Sequence, residues 1–172
     1  MRFDALARGQ KTLVGVVMGL AARTEVTLLD EPYLGLDIQN RDILYRELLD
    51  EIDRDAEGAR TFIVSTHQVE DASLLLDSVI FIDEGRITEV IDVDDLVSST
   101  VVATGTTSAV EELLAGVTCS VLRDESVAGS RRVVLGLGSD TSELFRAADG
   151  LDVQIRNADL PETVLVRGRC QE

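Results

Sequence analysis

The first hundred residues alternate between two kinds of apolar segment. Residues 25–30 and 61–65 are short apolar runs rich in β-branched side chains, which predict buried strands. Residues 10–23 are apolar nearly all round and predict a buried helix, whereas residues 38–54 carry apolar side chains at helical spacing with charges between them. This alternation of helices and strands predicts an α/β fold built on a parallel sheet.

Shorter segments follow the second strand. Residues 68–76 and 92–97 predict two short helices. Between them, residues 78–82 and 86–91 predict two strands joined at Asp83-Glu84-Gly85-Arg86, which is typical of a β-hairpin.

The polar stretch at residues 98–100 predicts a boundary between domains of residues 1–98 and 99–172. Beyond it the order is strand, helix, strand, strand, helix, strand, which predicts a small ferredoxin-like α/β sandwich. A last helix is predicted to begin at Leu160, with Pro161 in its first turn. The predicted strands are residues 101–104, 117–123, 132–137 and 151–155, and the helices are residues 108–115 and 141–148.

Composition excludes several classes of function. The chain has 32 acidic and 16 basic residues, and its net charge of −16 argues against binding nucleic acid through the general surface. Two isolated cysteines and one histidine provide neither a disulfide framework nor a zinc cluster, which fits a reducing, cytosolic setting. The apolar stretch at residues 13–22 is too short to span a bilayer. Because basic residues precede it, a secretory signal is an alternative to the helix, although Asp4 and Gln10 count against that alternative.

Charged and polar side chains end both predicted strands of the parallel sheet. The first run ends in Asp30 and Glu31, and the second ends in Ser65-Thr66-His67, which holds the only histidine. The carboxyl ends of parallel strands meet at one edge of a sheet, where binding sites form. One carboxylate could hold a metal ion while the other acts on a water molecule. The simpler alternatives are a strand end followed by a turn, and a histidine bonded to a backbone group.

A third feature precedes the first strand. Residues 6–10, Leu-Ala-Arg-Gly-Gln, form a loop that leads into the apolar helix. Gly9 allows close approach of the backbone, and a helix N-terminus directs N–H groups towards an anion. In order and spacing, this loop, the Asp30-Glu31-Pro32 and Gly35-Leu36-Asp37 segments and His67 resemble the ATP-binding cassette (ABC) ATPases, from residue 4 to about residue 97.

The resemblance implies part of a P-loop NTPase (RecA-like) core and assigns a role to each motif. Asp30 falls on the Walker B aspartate, which holds Mg²⁺ through water, and Glu31 falls on the catalytic carboxylate that polarises the attacking water. His67 falls on the switch histidine that contacts the γ-phosphate, and Asp37 falls on the D-loop aspartate that communicates across a dimer. The implied cofactors are ATP and Mg²⁺.

Residues 6–10 fall on the family's signature loop, Leu-Ser-Gly-Gly-Gln, which contacts the nucleotide bound by the partner subunit. The nucleotide-binding residues implied in this way are Leu6, Ala7, Arg8, Gly9 and Gln10. Ala7 stands where the family has serine, so one hydroxyl donor is lost, and Arg8 replaces the first glycine and adds positive charge.

The implied function is that of the ATP-binding subunit of a bacterial ABC transporter. Such a subunit works as a homodimer or heterodimer on a membrane permease, at the cytoplasmic face of the membrane, and no nucleic acid is expected as a partner. The sequence contains no Gly-x-x-x-x-Gly-Lys-Ser/Thr loop, so it looks like the C-terminal portion of a subunit, and we expect no hydrolysis of ATP by this chain alone. The predicted C-terminal domain favours an exporter.

Two alternatives remain. A soluble ABC-type DNA-repair ATPase is disfavoured because such proteins carry coiled coils and basic surfaces, and this sequence has neither. A degenerate, non-catalytic regulatory subunit is favoured by Ala7 and the missing phosphate loop, whereas Glu31 and His67 count against it.

Overall fold

A computed structural model describes residues 2–54, 60–137 and 142–169, with the side chains of Ser142, Glu143 and Arg169 excepted. Thr141, at the start of a predicted helix, and Cys170, one of the two cysteines, lie outside the described residues. The chain divides into two compact units, Met1–Leu75 (the first unit) and Leu76–Glu172 (the second unit).

The first unit is an α/β layer built on two strands. A 3₁₀ turn at Phe3–Ala5 precedes the regular elements. These elements are α1 (Arg8–Ala21), β1 (Val26–Asp30), α2 (Ile38–Asp53), β2 (Thr61–Ser65) and α3 (Val69–Ala72). The first helix begins two residues before the predicted start, because the Gln10 side chain accepts a hydrogen bond from the Ala7 N–H (3.0 Å) and extends the first turn.

The two strands of the first unit pair in parallel, as the sequence predicted. Their register runs from Val26 opposite Thr61 to Asp30 opposite Ser65, which places the polar strand ends side by side. Thr27 and Leu29 are buried on one face of β1, and a Cβ atom placed on Gly19 of α1 would come into ordinary van der Waals contact with these two side chains.

The opposite face of this sheet carries exposed apolar side chains. Leu28 is 73% exposed, and Val26 and Ile63 are also exposed. Parallel sheets normally have both faces covered. The expectation of a helix buried all round is also wrong for α1, because only the face with Val16 and Leu20 is buried in this unit.

The second unit begins with the predicted hairpin. Its elements are β3 (Ser78–Asp83), β4 (Arg86–Asp92), α4 (Val93–Ser98), β5 (Thr100–Thr106), α5 (Thr107–Gly116), β6 (Ser120–Val127), β7 (Ser130–Gly136), α6 (Ser142–Ala147), β8 (Val153–Asn157) and α7 (Leu160–Arg169). Strands β3 and β4 are antiparallel, which confirms the hairpin. Glu84 and Gly85 both have positive φ (45° and 76°), the geometry of the tight turns that join twisted strands.

Strands β5 to β8 form an antiparallel sheet in the order β6-β7-β5-β8, with both faces covered. Alternate residues of the central strands enter two cores. The core on the side of α5 and α6 contains Val101, Ala103, Val110, Leu113, Val133, Leu135 and Leu144. The core on the side of α7 contains Val102, Val134, Ala158 and Val166.

The predicted domain boundary at residues 98 and 99 falls inside the second compact unit. Helix α4 contacts both β4 and α7. Arg167 of α7 donates hydrogen bonds to Glu89 Oε1 (2.8 Å) and to Ser99 Oγ (2.9 Å), which ties the hairpin to the C-terminal helix. An ATPase domain that ends at residue 98 is a prediction from the motifs, and it stays a prediction.

Candidate active site

Asp30 and Ser65 occupy matching positions at the carboxyl ends of β1 and β2. The Ser65 hydroxyl donates a hydrogen bond to Asp30 Oδ1. Asp30 is exposed, and no other side-chain partner of its carboxylate lies among the described residues. The pair therefore presents hard oxygen atoms at the sheet edge.

Glu31 reverses the direction of the backbone immediately after β1. Its φ of 45° lies in the left-handed region, which is uncommon for a residue with a long side chain. Two backbone hydrogen bonds hold this conformation: the Glu31 N–H donates to the Ser65 carbonyl (2.9 Å), and the Glu31 carbonyl accepts from the Leu34 N–H (3.0 Å). A strained conformation persists only where its surroundings fix it, and here β2 and the following turn do so.

The Glu31 carboxylate joins the ends of the two strands. Its Oε1 atom accepts a hydrogen bond from the His67 N–H (3.1 Å) and lies 2.7 Å from His67 Nδ1. Its Oε2 atom accepts from the Thr66 hydroxyl (3.3 Å), and that hydroxyl accepts from the Gln68 N–H (2.9 Å). The carboxylate and the imidazole thus form a direct pair that can share or transfer a proton.

The loop at residues 6–10 lies against the turn that follows Glu31. A Cβ atom placed on Gly9 would approach the Gly35 carbonyl oxygen to 2.5 Å, and the Thr12 hydroxyl donates to the Leu34 carbonyl (3.2 Å). Gly35 has a φ of 79°, which glycine adopts without strain. The absence of a side chain at Gly9 is therefore needed for packing between these two loops.

The structure brings together some of the predicted site residues and leaves others apart. Asp30, Glu31 and His67 lie at one sheet edge. Asp37 caps α2, because its Oδ1 accepts from both the backbone and the side-chain nitrogen of Asn40 (2.9 Å each). Within the described part of the chain, no hydrogen bond connects the carboxylates or His67 with the remaining predicted residues, Leu6, Ala7, Arg8, Gly9 and Gln10.

Sequence reasoning assigned no role to Ser65 or Thr66, although both contact the candidate carboxylates. A signal for Ser65 was present in the sequence, because Asp30 and Ser65 are the last residues of the two predicted strands and the carboxyl ends of parallel strands meet at one edge of the sheet. Thr66 had no comparable signal, since its contact depends on the left-handed turn at Glu31.

The donors at this edge fit a magnesium ion shared with a nucleotide better than a metal cage. Across the described ranges, no group of three or more His, Cys, Asp or Glu side chains could hold a metal ion. Mg²⁺ usually binds one or two carboxylates, phosphate oxygens and several waters, a set that Asp30 can complete. The 14-residue helix α1 offers an N-terminus, where N–H groups lack intrahelical partners and favour phosphate.

Known proteins match this chain over about half of its length. The ABC transporter ATP-binding protein YtrB of Bacillus subtilis is 30% identical over 95 residues, covering 55% of this chain and 32% of the relative. The glutamine transport ATP-binding protein GlnQ of the same species is 38% identical over 84 residues, covering 49% and 33%. The L-cystine transport system ATP-binding protein TcyN of Escherichia coli is 39% identical over 84 residues, covering 49% and 32%.

About half of this chain is homologous to the ATP-binding proteins of ABC transporters. The chain spans about a third of the length of these curated ABC relatives. A solved ATP-binding subunit of an ABC transporter superimposes with a TM-score of 0.48 at 23% identity, covering 55% of this chain and 38% of that structure. No family model matches the chain. No helix in the described ranges is long and apolar enough to cross a membrane.

Proposed function

We propose that this chain supplies part of the ATP-hydrolysing site of an ABC transporter ATP-binding subunit. In this proposal Glu31 orients and deprotonates the attacking water, His67 contacts the γ-phosphate, and Asp30 holds Mg²⁺ through water. The observation that carries the proposal is the contact of 2.7 Å between Glu31 and His67, on the ends of two parallel strands. Bound Mg²⁺ would neutralise charge that develops on the phosphate oxygens.

The remaining motif residues are proposed to act across a dimer of ATPase subunits. Residues 6–10 would contact the nucleotide held by the partner, through N–H groups at the start of α1 and the positive charge of Arg8. Asp37 would combine its capping of α2 with a position at the dimer contact. Ala7 offers no hydroxyl, so this loop would bind phosphate less tightly than one with serine.

The C-terminal residues 99–172 are proposed to form a ferredoxin-like accessory domain. The strand order β6-β7-β5-β8 and the helices α5 and α6 between the strands support it. The proposed setting is a bacterial cell, at the cytoplasmic face of the membrane, through a permease. The accessory domain favours an exporter, whereas the names of the relatives GlnQ and TcyN refer to glutamine and L-cystine transport systems and do not favour export.

We expect the 172-residue chain alone to show no turnover of MgATP, because it has no glycine-rich lysine loop to hold the phosphates. The test of the proposed function is a chimera in which the N-terminal portion of YtrB precedes residues 4–172. The chimera should release phosphate from ATP, and Glu31→Gln should lower kcat by about 100-fold or more because the base is lost. Glu47→Gln, an exposed α2 position in the same unit, is the matched control and should leave the rate unchanged.

A second candidate, the non-catalytic regulatory subunit, is favoured by Ala7 and by the absent phosphate loop. It requires that the chimera fold and bind ATP but release no phosphate, with or without Glu31→Gln. Retention of the chain on double-stranded DNA at physiological salt would instead support the DNA-repair alternative. The net charge of −16 predicts no retention.

A further inference from the structure

A cleft lies between α2 and α3 in the first unit and encloses about 340 Å³. It contains none of the residues proposed above for catalysis. Ile38 and Leu74 line it and are 86% and 81% exposed, the highest values among the large apolar side chains that the structure describes. An apolar rim of this kind is typical of a surface that binds another molecule.

Tyr33 lines the same α2–α3 cleft and is only 1% exposed, yet its hydroxyl has no hydrogen-bond partner among the described residues. A buried hydroxyl without a partner is costly, and most such groups in proteins are paired. Burial, with smaller contributions from Asp71 and Tyr45, raises the pKa of Tyr33 to about 12, so the hydroxyl stays protonated at neutral pH. It is neutral, and its buried oxygen can accept a hydrogen bond once a donor displaces the side chains that cover it.

The charges of the cleft decide which ligand it suits. Its ionisable lining consists of one basic residue, Arg41, and the acidic residues Asp42, Glu70 and Asp71, in addition to the tyrosines. Arg41 is already engaged, because Nη1 donates to Asp71 Oδ2 (2.6 Å) and Nε donates to the Leu36 carbonyl (3.2 Å). An anion would therefore meet excess negative charge, whereas a cation would find an unpartnered oxygen acceptor and carboxylates.

We propose that the α2–α3 cleft binds a basic side chain of a partner protein, flanked by apolar residues. The cation donates to the Tyr33 hydroxyl and lies near Glu70 and Asp71, while its apolar neighbours cover Ile38 and Leu74. A second copy of this chain is a poor occupant of this acidic cleft, because the chain has 32 acidic residues and only 16 basic ones to present to it. The charge complementarity instead selects a partner segment rich in arginine or lysine and leucine.

The test uses two fluorescein-labelled peptides, Gly-Leu-Arg-Leu-Leu-Gly and the same peptide with neutral citrulline in place of arginine. Fluorescence anisotropy with the 172-residue chain should give about tenfold tighter binding of the arginine peptide, because only that peptide presents a cation to the cleft. Tyr33→Phe and Glu70→Gln should each weaken binding of the arginine peptide by about threefold or more, because each removes one recognition group.

Matched controls separate this site from general attraction to an acidic chain. Glu112→Gln removes one exposed charge in the second unit and should leave binding unchanged. Leu74→Ser removes part of the apolar rim and should weaken binding of the arginine peptide, whereas Val127→Ser, at an exposed apolar position of the second unit, should not. Circular dichroism establishes that each variant is folded. Equal binding of both peptides, equal binding by Tyr33→Phe, or no binding at all would each overturn the proposal. Competition by inorganic phosphate, or self-association lost in Leu74→Ser, would also overturn it.

Discussion

The two units differ in how their sheets are covered. In the first unit, β1 and β2 bury one face and expose apolar residues on the other, whereas both faces of the four-stranded sheet in the second unit are covered. Every apolar residue with zero exposure in the described ranges belongs to the second unit: Leu96, Val101, Ala103, Val110, Leu113, Val133 and Leu135. The candidate chemistry lies in the less covered unit, so stability and chemistry are concentrated in different parts of the chain.

The largest expected effect is a difference in stability between a buried and an exposed leucine substitution, one in each unit. Leu113→Ala should destabilise the second unit by about 2–5 kcal/mol, because the side chain is fully buried and leaves a cavity. Leu28→Ser, at a 73% exposed position, should change stability by about 0.5 kcal/mol or less. Amide hydrogen exchange in β5 and β1 measures each effect within its own unit.

Exchange in the wild type sharpens the same comparison. Amides of β5 and β7 should be protected much more strongly than those of β1 and β2, because the latter strands lie in a sheet with one open face. Equal protection, or a loss after Leu28→Ser as large as that after Leu113→Ala, would show that the exposed face is covered in solution.

A smaller effect distinguishes two glycines of α1. Gly9→Ala should destabilise the first unit by about 1–3 kcal/mol, because the new Cβ would lie 2.5 Å from the Gly35 carbonyl oxygen. Gly15→Ala is the matched control: apart from its chain neighbours and the backbone of its own helix, no described atom lies within 4 Å of its added Cβ, and alanine stabilises a helix interior by about 0.5–1 kcal/mol. Denaturation followed by circular dichroism measures the stability of both variants. If both substitutions change the stability in the same direction, the contact between the two loops at Gly9 is disproved.

The smallest effect concerns acid stability of the second unit. The hydrogen bond from Arg156 is the main cause that holds the pKa of Glu162 below its ordinary value of 4.5. The unfolded chain therefore takes up a proton at higher pH than the folded chain. The stabilisation by the ionised Glu162 carboxylate is fully present above pH 4.5 and is lost as the pH falls through the lowered pKa.

Glu162→Gln should lower the free energy of unfolding by about 1–2 kcal/mol at pH 7. Its difference in stability from the wild type should shrink below pH 4.5. Glu112→Gln, at an exposed helix position, is the control and should leave the pH dependence of denaturation unchanged. If the difference in unfolding free energy between the wild type and Glu162→Gln stays constant down to pH 3, the Glu162 side chain stabilises the protein by contacts other than its ion pair with Arg156.

Local pattern predicted the pairing of β1 with β2 and the hairpin at Glu84-Gly85, because periodicity and turn residues determine both. It could not predict the left-handed conformation of Glu31, since nothing in a glutamate side chain favours positive φ and long-range hydrogen bonds impose it. The sequence also could not predict that one face of β1 is exposed. An apolar run shows that a strand would be stabilised by packing on both faces, but it does not show whether another element packs there. The apolar pattern did not predict the start of α1 at Arg8. The first turn is stabilised by a local hydrogen bond from the Ala7 N–H to the Gln10 side chain, and the pattern does not report such a contact.

The left-handed backbone conformation of Glu31 links the strain at this position to the need for its carboxylate. A non-glycine residue in the left-handed region carries a strain of about 1–3 kcal/mol, which glycine avoids and asparagine reduces. In a lineage that had stopped needing the carboxylate, mutational drift towards glycine or asparagine here would stabilise the protein. Replacement of Glu31 by glycine or asparagine would therefore remove the carboxylate and relieve the backbone strain in a single substitution.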